Sequence, residues 1–170
     1  FAHWVDAGHA RIGALLALVE QDAVTRAGLS GTIKVGVIGD SRPAGTGASA
    51  IGTTDMRTIA QSSATFTRSR VGPLSDAAGA HFARSGYTTR SFGAQLGHSP
   101  YSAHSLSIDA FVGAGKAYND TQLWSFILGV NDQSTSVTEL DWVYEFERLL
   151  RYLYDTQRAL AGVAPAFAII

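Results

Sequence analysis

The spacing of apolar residues predicts two long amphipathic helices. In the segment 6–28 a helix face repeats at i, i+3, i+4 and i+7, with Asp6 as the expected N-cap and Gly28 as the stop. That face carries Ile12, Leu15, Leu16 and Val19. Farther along, Ser136 and Glu139 form a capping-box pattern ahead of a second helix. The face predicted for this second helix carries Val143, Phe146, Leu150 and Leu153.

Short apolar runs bounded by turn residues predict three buried strands, at 32–38, 123–128 and 166–170. A short helix is expected at 73–86 and a further strand in "YTTRSF", whereas 44–70 favours a loop with a helical piece. Strands that alternate with helices indicate an α/β fold, with a parallel sheet covered on both faces. Ligand sites of such folds lie outside the carboxyl ends of the strands.

Composition narrows the class of protein. The 170 residues, of which 46% are hydrophobic, suit a single domain spanning 1–170. Thirteen basic and 14 acidic residues give a net charge of −1, so nothing favours a nucleic-acid or anionic-membrane partner. The chain has no cysteine, no apolar run long enough to span a membrane, and no signal-peptide pattern in "FAHWVDAGH". These features are compatible with both a secreted and a cytoplasmic location.

Two polar residues follow predicted strands at the same edge of the sheet. "VIGDS" places Ser41 directly after the first strand, where it is either a nucleophile or, together with Asp40, a simple helix cap. "LGVND" places Asn131 after a second strand, where its amide suits an oxyanion. A phosphate-binding loop is disfavoured, because "GDSRPAGTGA" lacks the Gly-Lys-Ser/Thr motif.

"GDSRPAGTG" and "GVND", each after an apolar strand, resemble two blocks of the SGNH (GDSL-type) serine hydrolases. The resemblance implies a three-layer α/β/α, flavodoxin-like fold and an acyl-enzyme mechanism on a small ester substrate, with no metal or organic cofactor. It assigns the nucleophile to Ser41, whose N–H also serves the oxyanion hole together with the Asn131 side chain. The remaining oxyanion donor maps to a glycine of "SFGAQLGHS", for which Gly97 is preferred over Gly93.

The N-terminal stretch "FAHWVDAGHARIGALLALV" resembles the surroundings of that family's catalytic histidine. This register makes His3 the base and puts its aspartate one position before Phe1. The literal Asp-x-x-His spacing of Asp6 and His9 is the alternative register. Either way the family's last block stands first, so we expect a circularly permuted or incomplete block order.

The predicted function is therefore hydrolysis of small acyl or acetyl esters, including those on carbohydrate or lipid. The alternative is a noncatalytic ligand- or partner-binding module that retains the same fold, an idea that the missing aspartate favours. Zinc is disfavoured, because His3 and His9 are six positions apart. The other histidines, His81, His98 and His104, are expected to be ordinary polar residues. The tryptophans Trp4, Trp124 and Trp142 are expected to be core or edge aromatics.

Overall fold

The computed structural model of the chain describes residues 5–50, 53–70, 83, 86–93, 108–134 and 138–170. The described helices are α1 (Asp6–Arg26), α2 (Met56–Ser63), α3 (Thr89–Gly93), α4 (Val130–Ser134) and α5 (Glu139–Ala161), with a short 3₁₀ helix at Ile108–Ala110. The strands are β1 (Ile33–Gly39), β2 (Arg68–Arg70), β3 (Leu123–Ile127) and β4 (Ala166–Ile169). The chain is thus an α/β protein, and the three predicted strands are confirmed.

The described strands form one parallel sheet in the order β2-β1-β3-β4. The central strands β1 and β3 run in register from Val35 opposite Leu123 to Gly39 opposite Ile127. On its other side Gly39 forms an isolated parallel bridge with Ala83. Gly39 therefore lies at the junction of three chain segments where the sheet ends.

Helices cover both faces of the sheet. On one face Trp124 and Phe126 pack with Phe146 and Leu149 of α5. The other face is covered by α1 and α2, through clusters that contain Leu16, Val24, Val35, Val37, Met56 and Ile127. Because both faces are covered, β1 and β3 are almost continuously buried, which explains their mostly apolar sequences.

The first helix has the predicted length, and three of the four residues of its predicted face, Ile12, Leu16 and Val19, pack in the core. Val5 occupies the N-cap position, Asp6 is the first helical residue, and Leu15 is 43% exposed. His9 and Glu20 are fully buried instead. Glu20 accepts a 2.7 Å hydrogen bond from Ser125 Oγ of β3, a buried polar contact that apolar periodicity cannot reveal.

Two local predictions were wrong. The stretch "YTTRSF" does not form a strand, because α3 begins at Thr89. The second long helix is capped by Thr138, whose side chain accepts from the Asp141 backbone N–H, and not by Ser136. The helical piece expected in 44–70 is confirmed as α2. Apart from Ala83 and Gly86, the helix expected at 73–86 lies outside the described residues.

Candidate functional site

Ser41 lies in the turn that follows β1, at the carboxyl edge of the sheet. The turn starts at Gly39, where a Cβ atom would come within 2.2 Å of Pro43 Cγ and 2.6 Å of the Ile127 carbonyl oxygen. Only glycine permits this close approach of strand and turn. Ser41 itself is half-buried, and its carbonyl accepts a 2.9 Å hydrogen bond from Thr46 N. The turn is therefore compact and tied to β3.

The side chains on either side of Ser41 form an ion pair. Asp40 is 1% exposed, and its carboxylate accepts from the Arg42 backbone N–H at 2.9 Å, from Nε at 3.0 Å and from Nη2 at 2.6 Å. A bidentate contact of this kind fixes geometry as well as charge. The first described helix after β1 is α2, and its N-cap is Asp55, so neither Asp40 nor Ser41 is a helix cap.

Asn131 and Asp132 lie in the short helix α4 that follows β3. Asn131 Nδ2 donates to the Tyr87 carbonyl at 2.9 Å. The buried Asp132 carboxylate accepts from the Thr89 backbone N–H at 3.0 and 3.1 Å and from the Thr89 hydroxyl at 3.2 Å. These bonds hold the segment that begins α3 against the end of β3.

The register of the sheet brings Ser41 and the Asn131 helix to one edge. Gly39 and Ile127 are paired, and Asp40 N donates to the Ile127 carbonyl at 3.3 Å. Neighbouring strands lie about 4.8 Å apart, so the segments that leave them start side by side. The structure thus places two of the four residues that the sequence assigned to the site, Ser41 and Asn131, at one edge of the sheet. The other two, His3 and Gly97, lie outside the described residues.

Gly86 is a residue of this edge that the sequence analysis missed. It follows the bridge between Ala83 and Gly39, and it precedes Tyr87, which binds Asn131. Its φ of +80° is a backbone conformation that favours glycine, and it is exposed. The alternative Gly93 is the last residue of α3. No local sequence pattern indicates this position, because the segment reaches the edge through the bridge between Ala83 and Gly39.

The start of α1 packs on the turn that contains Ser41. The Asp6 carboxylate accepts from the Ser49 backbone N–H at 2.8 Å and from Ser49 Oγ at 2.6 Å, and these hydrogen bonds lower the pKa of Asp6. His9 Nε2 lies 3.2 Å from the Thr46 carbonyl oxygen. The alternative Asp-x-x-His pair is therefore bonded to residues 46 and 49, and it anchors α1 to this edge.

A cavity of about 300 Å³ opens beside the Asn131 helix. Gly129, Asp132, Gln133, Glu139 and Trp142 line it. Trp124, in contrast, is a core residue, and its Nε1 donates to Gln157 Oε1 at 2.7 Å. Trp4, His81, His98 and His104 lie outside the described residues.

Neither a metal centre nor a membrane span is found in the described ranges. No group of three His, Asp or Glu side chains among these residues is arranged to hold a metal ion. In the same part of the chain no helix is long and apolar enough to cross a bilayer.

The fold and the edge residues together define an α/β protein with a serine and an asparagine at the carboxyl end of a parallel sheet. Comparison with known proteins takes the classification no further: no family model, curated protein or solved structure matches the chain.

Proposed function

We propose that the chain is a serine esterase of the SGNH type, with Ser41 as its nucleophile. The observation that carries the proposal is the placement of Ser41 and the Asn131 helix after two paired parallel strands, at the edge where active sites of this fold class form. Further support comes from the strand order β2-β1-β3-β4, which corresponds to the first four strands of the flavodoxin-like order 2-1-3-4-5. The two covered faces agree with a three-layer α/β/α architecture.

In the proposed reaction His3 accepts the hydroxyl proton of Ser41 while Oγ attacks the ester carbonyl carbon. The oxyanion is stabilised by the Ser41 N–H, the Asn131 amide and a glycine N–H. The resemblance assigns this last role to Gly97, and the exposed Gly86 is a second candidate at the described edge. Collapse of the intermediate breaks the bond to the alcohol, which takes its proton from His3. Water then attacks the acyl-enzyme in the same way, and the acid leaves.

The fold holds the Asn131 amide in place, because its Nδ2 donates to the Tyr87 carbonyl and this bond fixes the orientation of the side chain. Pre-orientation of the donor is what makes such a group effective, because no reorganisation is needed when charge develops on the substrate oxygen.

The proposal is tested by hydrolysis of p-nitrophenyl acetate and by labelling with a fluorophosphonate. We expect turnover by the unaltered chain, loss of about a thousandfold or more in Ser41→Ala, and the label on Ser41 by mass spectrometry. Ser62→Ala is the matched control, because Ser62 is an exposed serine of α2 that donates to the Ile59 carbonyl. A folded sample with neither turnover nor label would refute the esterase.

A noncatalytic binding module is the second candidate, and one observation favours it. Asn131 binds Tyr87 and Asp132 binds Thr89, which gives the "GVND" motif a structural role without any chemistry. Under this alternative neither the unaltered chain nor Ser41→Ala hydrolyses p-nitrophenyl acetate. Labelling of Ser41 by the fluorophosphonate decides for the esterase.

A further inference from the structure

The cavity beside the Asn131 helix and the proposed nucleophile both lie at the carboxyl edge of the sheet. Its wall begins at Gly129, two residues beyond Ile127, and Ser41 stands two residues beyond Gly39, the strand partner of Ile127. Gly129 and Ser41 thus both lie beyond the carboxyl ends of two paired strands. The cavity extends from this point toward the start of α5, where Glu139 and Trp142 lie.

The lining combines one aromatic ring with hydrogen-bonding side chains. The Trp142 indole stacks on Phe146, with ring centroids 5.2 Å apart and ring planes at 11°, so its position is fixed by the core. Gln133 and Glu139 are exposed residues and supply an amide and a carboxylate. Together they offer two kinds of acceptor and one donor beside an indole.

We propose that this cavity binds the alcohol part of the ester and that this part is a neutral, polyhydroxylated group, such as a sugar. As the alcohol site it rests on the proposed function. Hydroxyl groups donate to the Glu139 carboxylate and exchange hydrogen bonds with the Gln133 amide, while the C–H surface of the ring contacts Trp142. A volume of about 300 Å³ is at the lower end of ligand cavities and suits one small ring.

Other ligand classes fit the lining less well. An anionic group would meet the carboxylates of Asp132 and Glu139, and no Lys or Arg is among the described residues that line the cavity. A quaternary ammonium group is recognised by several aromatic faces, whereas the described lining has one aromatic side chain, with one face against Phe146. An alkyl chain would leave the amide and the carboxylate without a role.

The experiment compares two esters in Gln133→Ala and Glu139→Ala. We expect kcat/KM for a mono-acetylated methyl glucoside to fall about five- to tenfold in each variant, the effect of one lost hydrogen bond. For p-nitrophenyl acetate the change should stay below about twofold, because this ester carries no hydroxyl group. Glu147→Ala is the matched control, since Glu147 is an exposed glutamate of the same helix that binds Arg151. Equal losses on both esters, or none on the glucoside, overturn the inference and leave the esterase intact.

A binding measurement separates this inference from the proposed function. In Ser41→Ala, methyl glucoside should shift the indole N–H resonance of Trp142 but not that of Trp124, and Glu139→Ala should abolish the shift. If the Trp142 resonance shifts but the unaltered chain hydrolyses neither ester, the sugar site is supported and the esterase is refuted. No shift at any tested concentration overturns the sugar site, whatever the hydrolysis shows.

Discussion

The side chains around Ser41 hold its turn through charge as well as packing. Arg42 contributes two nitrogens and its backbone N–H to the buried Asp40 carboxylate. Arg42→Ala removes the guanidinium and leaves a buried charge without its partner, so we expect the free energy of unfolding to fall by about 2 to 3 kcal/mol. Urea denaturation followed by circular dichroism measures this change.

Arg42→Lys is the companion variant for this prediction. Lysine keeps the charge but not the planar fork that binds both Asp40 oxygens, so an intermediate loss is expected. If Arg42→Ala unfolds at the same urea concentration as the unaltered chain, the ion pair contributes nothing to the turn.

Asp6 gives the contact between α1 and the turn a pH dependence. Hydrogen bonds from Ser49 lower its pKa below the ordinary value of 3.8 in the folded chain. The Asp6 contribution to stability is therefore fully present above about pH 3.8 and is lost as the pH falls through the lower, folded-state pKa. Asp6→Asn should be less stable than the unaltered chain near neutral pH, and this difference in stability should shrink as the pH falls.

Thermal unfolding between pH 6 and pH 2.5 measures the Asp6 contribution. Ser49→Ala removes the hydroxyl group that donates to the Asp6 carboxylate. The pH dependence of stability should therefore also be smaller in this variant. A deficit in Asp6→Asn that stays constant over this range contradicts the assignment.

At the scale of helices and strands, features set by the local sequence were predicted correctly, whereas features that depend on contacts between residues distant in the chain were not. Runs such as 33–39 and 123–127 were predictable because strands buried on both faces are mostly apolar. "YTTRSF" was not, because the helix start at Thr89 depends on a carboxylate 43 positions away, that of Asp132. The burial of Glu20 on α1 was not predicted for the same reason, since it depends on the hydrogen bond from Ser125 of β3.

The helix α5 is joined to the sheet by a buried polar contact at Gln157. Its Oε1 accepts from Trp124 Nε1 at 2.7 Å, and its Nε2 donates to the carbonyls of Thr121 at 2.8 Å and Asn119 at 2.9 Å. Gln157→Leu removes the buried hydrogen bonds of the Trp124 indole N–H and of the Thr121 and Asn119 carbonyl groups to this side chain. We expect a loss of about 3 kcal/mol in the free energy of unfolding.

The same substitution at an exposed glutamine controls for the change in residue type. Gln133→Leu in α4 should alter the unfolding free energy by less than about 0.5 kcal/mol, because Gln133 is exposed. Equal effects at the two positions would mean that the Gln157 contacts add no stability.

At the scale of the whole molecule, the sheet edge explains which site residues were predictable. Ser41 and Asn131 each follow a strand directly, so the strand pattern alone brings them to one edge. Gly86 reaches the same edge through the bridge between Ala83 and Gly39, which no local pattern announces. The sequence therefore predicts the site residues that follow a strand in the chain. Site residues that a loop brings to the edge can be identified only from the three-dimensional structure.

The sheet order also predicts which backbone amides exchange with solvent. Ala166 N donates to the Gln122 carbonyl at 2.8 Å and Ile170 N to the Phe126 carbonyl at 3.0 Å. In a parallel ladder the alternate amides, those of Phe167 and Ile169, point to the opposite side, and no strand in the described part of the chain pairs there. We expect hydrogen exchange at Phe167 and Ile169 to be at least about a hundredfold faster than at Ala166, because only the latter must break a ladder bond to exchange. Amide exchange followed by nuclear magnetic resonance provides the rates. Equal protection of both sets would mean that a further strand lies against β4, and the sheet would then be wider than the order β2-β1-β3-β4.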